Sequence, residues 1–305
     1  MQSERPLPTN APLDGFATAL VIAIMFSWGL NQVAIKVAIR GFDPMLMAAG
    51  RSALAGLCVF LWCRLHGIPL FAHDGTLAAG MAAGLLFGVE FIMIFMAMDM
   101  TSVGRVTLLM NLMPFWVAIG GHFLLGERMS LRAVIGMVIA FIGVYIVFSD
   151  RVGRPGPLAL YGDIIAICSG FLWGMTSLVI KRSRLVSAPP EKVLLYQLVV
   201  ASVVPLPLLG AAGPIIRDVN MLSIIAFLFQ SLFVTAFTYL LWFWMFRRYS
   251  VSKLSNFAFL TPAFGVILSA VLLGEHLSWK MFASLFLIAA GLFVINRPPR
   301  KAIVR

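Results

Sequence analysis

Long stretches that contain no Asp, Glu, Lys or Arg recur along the whole of this 305-residue chain. Each is close to the roughly 20 residues that cross the hydrocarbon core of a bilayer as a helix. These stretches are residues 15–35, 106–126, 133–149, 193–216, 219–246, 254–274 and 281–296. Three more, residues 44–63, 75–98 and 157–180, contain a single charge each. Only 11% of all residues are charged, against roughly 25% in soluble domains, so the sequence predicts an all-α polytopic membrane protein with ten transmembrane helices.

The two halves of the chain share residues at a nearly constant spacing. The shared residues are Trp28–Gly29 with Trp173–Gly174, Pro114 with Pro262, and Gly126–Glu127 with Gly274–Glu275. The spacing is 145 residues for the first set and 148 for the others. We therefore expect a five-helix repeat at residues 14–150 and a second at residues 155–297. A disordered tail at residues 1–13 and a basic tail at residues 298–305 are expected to flank them.

The number of helices in each repeat decides how the repeats are related. Five helices is an odd number, so the second repeat enters the membrane from the opposite face and the repeats are inverted. Inverted repeats are typical of secondary transporters, in which a site near the middle of the bilayer lies between the halves. The sequence thus predicts a carrier that works by alternating access to a central cavity and has no enzymatic activity.

Basic residues indicate the orientation. The formal net charge of +11 would suit a nucleic-acid partner, but the Lys and Arg residues alternate between the two faces of the predicted bundle. They favour the N-terminal face by roughly two to one, which indicates that this face and both termini are cytoplasmic. The charge orients the chain in the lipid bilayer, and no nucleic-acid partner is predicted.

The duplicated motifs also resemble those of a known family. The Trp-Gly pair in the first helix of each half, the proline in the fourth helix and the closing Leu-Leu-Gly-Glu resemble the EamA-type members of the drug/metabolite transporter superfamily. Within it, the chain is most similar to the YddG-type amino-acid exporters of bacterial inner membranes. This resemblance implies ten helices in inverted repeats around a central cavity. It also implies export of aromatic and other neutral amino acids across that membrane.

Polar and aromatic residues inside the predicted spans are the candidates for the substrate cavity. They are Trp28, Asn31, Gln32, Glu90, Asn111, Trp173, Thr176, Ser177, Gln230, Thr238, Tyr239 and Asn256. Side-chain amides are costly in hydrocarbon, so Asn31 and Gln32 should face the cavity or bond to a neighbouring helix. Trp28 and Trp173 lie too deep for the interfacial aromatic belt, and either line the substrate site or pack against glycine.

Charged residues and prolines inside the spans are the candidates for coupling and gating. Arg51, Glu90 and Asp163 are predicted at similar depths, either as a structural cluster or with a carboxylate that couples transport to a proton. Pro114 and Pro262 should bend the fourth helix of each half, as a gate or as a static kink. Arg105 falls in a predicted outer connection, and Lys36 should extend to the membrane interface. Glu127 and Glu275 are expected to cap the helix that follows each of them.

Other functions lack their signatures. The chain contains no Gly-Lys dipeptide and hence no phosphate-binding loop of the GxxxxGK[ST] type. It also lacks HExxH, GxSxG and acid-rich motifs, which leaves a membrane-embedded enzyme as a weak alternative and predicts neither cofactor nor metal. Sugar-phosphate or nucleotide-sugar substrates would need several deep cations, and only Arg51 is predicted to be deep. Drugs remain an alternative to neutral amino acids.

Overall fold

In the computed structural model, the described residues are 14–126, 131–150, 156–211, 213–249, 254, 257 and 260–296. Within this part of the chain, seven long apolar spans and three shorter apolar helices form ten helices, α1–α10, as the sequence predicts. The first half contains α1 (Gly15–Gly41), α2 (Pro44–Leu65), α3 (Leu77–Met100), α4 (Val103–Met110 and Met113–Leu125) and α5 (Leu131–Ser149). The predicted tails, residues 1–13 and 298–305, lie outside the described residues.

The second half has the same sequence of elements. It contains α6 (Ala159–Arg182), α7 (Pro190–Val203), α8 (Met221–Leu228, Phe229–Thr238 and Tyr239–Arg248), α9 (Leu260–Leu273) and α10 (Trp279–Asn296). The middle segment of α8, Phe229–Thr238, is a π-helix. Helix α7 ends well before the predicted residue 216, because Pro205 and Pro207 follow it and proline cannot continue a helix.

Helix α1 is longer than its charge-free stretch and includes Lys36. The ammonium group of Lys36 does not simply extend to the interface. It donates to the backbone carbonyls of Met98 and, at 3.1 Å, of Thr101, at the end of α3. Carbonyls at a helix C-terminus have no partner within the helix and carry partial negative charge, so they stabilise a cation there.

The connections between helices show that the halves are inverted. Within one half, the connections after its first and second helices lie on opposite faces of the membrane. Here the connection after α1 pairs with the connection after α7, which is the second helix of its half. Phe42 and Ile216 form an isolated antiparallel β-bridge, and the backbone amide of Asp43 donates to the carbonyl of Ile215 at 2.9 Å. On the other face, Asp74 after α2 pairs with Lys192 at the start of α7. Both contacts require opposite insertion of the two halves.

We call the face that carries the start of α1 the near face and the opposite one the far face. Equivalent helices of the two halves make equivalent contacts with the other half. The first helix of each half packs on the fourth helix of the other, α1 on α9 and α6 on α4. The third helix of each half packs on the first helix of the other, α3 on α6 and α8 on α1. Helix α2 packs on α7, and α5 on α10. The core is therefore built mainly from contacts between the halves, so each half depends on the other for burial.

The glycines of the two Trp-Gly pairs explain the closeness of this packing. A Cβ atom added to Gly29 would lie 2.6 Å from the Cβ atom of Phe264 and 2.9 Å from the backbone nitrogen of Gly265, both on α9. A Cβ atom on Gly174 would lie 2.9 Å from the Cβ atom of Trp116 on α4, which corresponds to Phe264 in the repeat. In both halves, the motif thus lets the first helix touch the fourth helix of the other half.

Glu275 joins the halves at the far face and corrects one expectation. Its carboxylate accepts hydrogen bonds from the backbone amides of Val103 at 2.8 Å and Gly104 at 3.1 Å. It therefore caps α4 of the first half and not α10, the helix that follows it. A carboxylate is favourable there because the first amides of a helix have no partner within the helix. Its counterpart, Glu127, lies outside the described residues.

Replacing Gly29 by alanine should destabilise the protein, because the added methyl group meets backbone atoms that cannot rotate away. Overpacking of this kind costs about 1–3 kcal/mol. Thermal unfolding of the purified G29A variant in detergent should occur at a lower temperature than that of the wild type. G15A is the matched control, since a Cβ atom at Gly15 has no neighbour within 4 Å. Equal melting temperatures for G29A and G15A would contradict this account of the motif.

Candidate functional site

The π-helical segment of α8 positions three polar side chains at the centre of the bundle. The hydroxyl of Thr235 donates to the carbonyl of Gln230, five residues earlier, at 2.7 Å, which matches the wider π-helical turn. Gln230, Thr235 and Thr238 are all buried. Single π-helical turns are frequent at functional sites because they shift side chains relative to an α-helix. The sequence predicts Gln230 and Thr238 as cavity residues but gives no signal for the π-helical turn.

Arg51 of α2 lies against this segment and is the charged centre of the site. Only 1% of its surface is exposed. Its Nε donates to the hydroxyl of Thr235 at 2.8 Å, and the guanidinium group lies 3.8 Å from the ring centroid of Phe91 on α3. The Nη1 atom of Arg51 has no hydrogen-bond partner among the described residues.

Glu90 of α3 provides the opposite charge. It is 3% exposed and interacts electrostatically with Arg51, although no ion pair shorter than 4.0 Å joins these two described residues. The Oε2 atom of Glu90 has no hydrogen-bond partner among the described residues, and neither has the side-chain amide of Gln230. An unsatisfied buried polar atom costs about 1–3 kcal/mol, and more if it is charged. This cost favours a polar guest that can bond to these atoms.

Aromatic rings form one wall of the cluster. The indole nitrogen of Trp28 donates to the hydroxyl of Thr238 at 2.8 Å. The Trp28 ring makes edge contacts with Tyr239 and Trp242, with centroids 5.5 Å and 5.3 Å apart. Trp28 therefore does more than pack against glycine, because it links α1 to the polar segment of α8. Asn31, one turn further along α1, is 7% exposed, and its side-chain amide oxygen Oδ1 has no hydrogen-bond partner among the described residues.

Gln32 resembles Asn31 in both respects: it is 7% exposed, and its side-chain oxygen has no partner in the described part of the chain. The structure thus brings together seven predicted cavity residues, Arg51 of the predicted charge cluster, and two further residues, Phe91 and Thr235. We call this set the central cluster. It consists of Trp28, Asn31, Gln32, Arg51, Glu90, Phe91, Gln230, Thr235, Thr238 and Tyr239.

The predicted counterparts in the second half do not join the central cluster in this way. Thr176 and Ser177 donate to carbonyls four residues earlier in their own helix, at 3.0 Å and 3.1 Å. Trp173 packs against the main hydrophobic core. Asn111 donates to the carbonyl of Thr107 at 2.7 Å. The fold is therefore nearly symmetric whereas its polar centre is not. Asn256 lies outside the described residues.

Asp163 has a different partner from the one expected. Its carboxylate forms a two-point ion pair with Arg105, at 2.5 Å to Nη2 and 2.9 Å to Nε, and both side chains are fully buried. Arg105 is thus not in an exposed connection, as the sequence suggested, but in the first turn of α4. It also donates to the carbonyl of Val147 at 2.9 Å. The predicted cluster of Arg51, Glu90 and Asp163 is divided into two separate sites.

Both prolines lie in the first turn of a described helix. Pro114 follows an interruption of α4, since the first piece ends at Met110 and the second begins at Met113. Pro262 is the third residue of α9 as described, Leu260–Leu273. A gating role for either residue stays a prediction.

Comparisons with known proteins agree with this architecture. The sequence pattern of the EamA-like transporter family matches residues 15–149 and again residues 160–297. A protein of Salmonella typhimurium named "Probable amino-acid metabolite efflux pump" is 27% identical, over 92% of this chain and 94% of its own. The Escherichia coli (strain K12) protein of the same name is 24% identical over the same shares of the two chains.

Two further matches are a relative without an assigned substrate and a solved structure. The "Uncharacterized transporter YoaV" of Bacillus subtilis is 23% identical over 90% of this chain and 94% of its own. A solved crystal structure superposes with a TM-score of 0.65 at 19% identity, over 92% of this chain and 96% of the other, which shows the fold alone. Because the family pattern covers both halves of the chain, this multi-pass membrane protein belongs to the EamA-like transporter family.

Proposed function

We propose that this transporter exports aromatic and other neutral amino acids across a bacterial inner membrane by alternating access, as the YddG-type exporters do. The observation that carries the proposal is the central cluster. In it, a buried cation and a buried anion with unpartnered atoms lie beside aromatic rings, at the junction of the two halves. Two relatives named amino-acid metabolite efflux pumps support the same substrate class.

The chemistry of the central cluster matches that of an amino acid. Arg51 offers the free Nη1 to a carboxylate, and charge-assisted hydrogen bonds of this kind are among the strongest in proteins. Glu90 offers Oε2 to an ammonium group. The rings of Trp28, Phe91 and Tyr239 provide an apolar wall for the side chain of the substrate, with the preference of aromatic groups for edge contacts. Asn31 and Gln230 supply further hydrogen-bonding groups.

A phosphate-bearing substrate fits less well. Its charge would need several available cations, and the second fully buried arginine in the described chain, Arg105, is already bound by Asp163. Among the described lysines and arginines, Arg51 alone belongs to the central cluster, and Glu90 would repel a second negative charge. The sugar-phosphate alternative is therefore disfavoured, whereas an organic cation without a carboxylate would leave Arg51 unpaired.

Glu90 also suggests how export can be coupled to a proton gradient. The substrate ammonium and a proton both neutralise the same carboxylate, so they compete for it. The carrier would release the amino acid outside, bind a proton at Glu90 and return to its inward-facing state. Each cycle would thus exchange one exported amino acid for one imported proton. In this scheme the orientation follows the charge distribution, with the near face in the cytoplasm.

Transport by the purified protein in vesicles should require both charged groups of the substrate. We expect labelled phenylalanine to be exchanged, and analogues without the ammonium or the carboxylate group to compete poorly. E90Q should raise the KM for phenylalanine about tenfold or more, because a hydrogen bond to a charged group contributes about 1.5–3 kcal/mol. D99N is the control, since Asp99 lies on the same helix in a partly exposed ion pair with Arg217. An unchanged KM for E90Q would contradict the assignment.

The coupling role of Glu90 predicts a separate result. Uptake of phenylalanine into wild-type vesicles should increase when the interior is made more acidic than the outside, since protons then leave in exchange for the substrate. The residual uptake by E90Q should not respond, because the glutamine binds no proton. D99N should keep the wild-type response. If E90Q keeps the full stimulation by the gradient, Glu90 is not the coupling group, and the substrate site can still stand.

A further inference from the structure

A groove between α3 and α7 lies outside the central cluster and shares no residue with it. It consists of two adjoining cavities of about 790 Å³ and about 500 Å³, which share Met81, Val199 and Val200. One end lies at the near-face connection between α2 and α3. From there it extends along the two helices, which belong to different halves of the protein.

Most of the groove is apolar and open to the membrane. Its inner part is lined by Met81, Ala82 and Leu85 of α3 and by four valines of the α7 segment, Val199, Val200, Val203 and Val204. Met81 is 49% exposed and Val199 53%, so these walls face lipid and are not closed by protein. The lining residues of α7 beyond Lys192, from 195 to 204, extend about 14 Å, close to half the roughly 30 Å thickness of the hydrocarbon core.

Glycines of α3 form the floor of the groove. A Cβ atom at Gly80 would lie 2.5 Å from the ring of Tyr196, and one at Gly84 would lie 2.7 Å from the side chain of Val200. Because α3 presents no side chains at these positions, α7 approaches it closely. The groove is therefore a surface depression over a tight contact between two helices and not a gap between them.

The near-face end of the groove is polar. Lys192 forms an ion pair with Asp74 at 2.8 Å, and its ammonium group also donates to the carbonyl of Ala72 at 3.4 Å. Thr76 donates to Asp74 at 2.6 Å. The hydrogen bonds from Lys192 and Thr76 hold the pKa of Asp74 well below its usual range, so this carboxylate stays ionised and neutralises Lys192.

A second basic group lies beside this ion pair and is not neutralised by it. Arg184 is exposed, and its Nη1 makes a long contact of 3.5 Å with the backbone carbonyl of Asp74. A Cβ atom at Gly75 would lie 2.5 Å from that Nη1, so the glycine leaves room for the guanidinium group at the mouth of the groove. Lys192, Asp74 and Arg184 together carry one net positive charge.

We propose that this groove binds one phospholipid of the surrounding bilayer, with an anionic head group beside Arg184 and Lys192 and an acyl chain along α3 and α7. Three observations support this occupant: the walls open to lipid, the apolar part has the length of one leaflet, and the polar end is positive. The lipid contacts α3 and α7, and would therefore stabilise the junction of the two halves at the near face.

The test uses the purified protein in detergent, with phosphatidylglycerol or phosphatidylcholine of the same acyl chains added, and native mass spectrometry to count bound lipids. We expect phosphatidylglycerol to bind more strongly and to raise the melting temperature more. V199W should abolish this binding by filling the groove. V271W is the matched control, because Val271 is 72% exposed on α9 and does not line the groove.

The head-group part of the proposal is tested by R184Q, which should remove the preference for phosphatidylglycerol. R64Q, which replaces another exposed arginine of the near face, should keep it. Equal binding of the two lipids by the wild type would overturn the anionic head-group site. Equal lipid binding by V199W and V271W would overturn the groove as its location. Neither result bears on the substrate site, because the groove shares no residue with the central cluster.

Discussion

The absence of water from the bilayer core governs this structure. A polar group at that depth must bond to protein, or it costs several kcal/mol. Most polar side chains of the described chain meet this requirement: Arg105 is bound by Asp163, Glu275 caps α4, and Thr176 donates to its own helix. In the described chain, unpartnered buried atoms remain on five residues of the central cluster, Asn31, Gln32, Arg51, Glu90 and Gln230, and on four residues outside it, Asp43, Ser52, Thr107 and Trp116. The five belong to helices from both halves, which is where the proposed alternating-access carrier needs its substrate site.

Inversion of the repeats explains why the central cluster lies between the two halves. Each half packs mainly on the other, and the first helix of each half touches the fourth helix of the other at a glycine. The helix packing is thus nearly symmetric, which would let the two halves exchange roles at the two faces in the proposed alternating access. The side chains at the centre are not symmetric, since Asn31 and Gln32 of the first half carry amides where the second half carries hydroxyls, those of Thr176 and Ser177, that bond within their own helix. A symmetric scaffold therefore carries an asymmetric site, which suits a substrate with two different ends.

The number of helices, the repeat and its inversion could all be predicted from the sequence, because they depend on the length of apolar stretches and on counting. Eight residues of the central cluster, Arg51 among them, could be predicted too, because polar groups are costly inside a span and so indicate a functional or structural role. The partners of charged residues could not. Arg105 looked like a loop residue because the start of α4 is not marked by hydrophobicity, and its burial depends on Asp163 from the other half. The π-helical turn of α8 likewise depends on tertiary contacts, and its residues carry no local signature.

The central claim is that one site between the halves is reached from each face in turn and binds the substrate. Its most direct test is the reactivity of N31C, in a protein whose native cysteines are replaced, toward a membrane-impermeant thiol reagent applied from either side. We predict labelling from both sides, and protection from both by phenylalanine. Labelling from one side only, or labelling that phenylalanine does not slow, would contradict a shared, alternately exposed site.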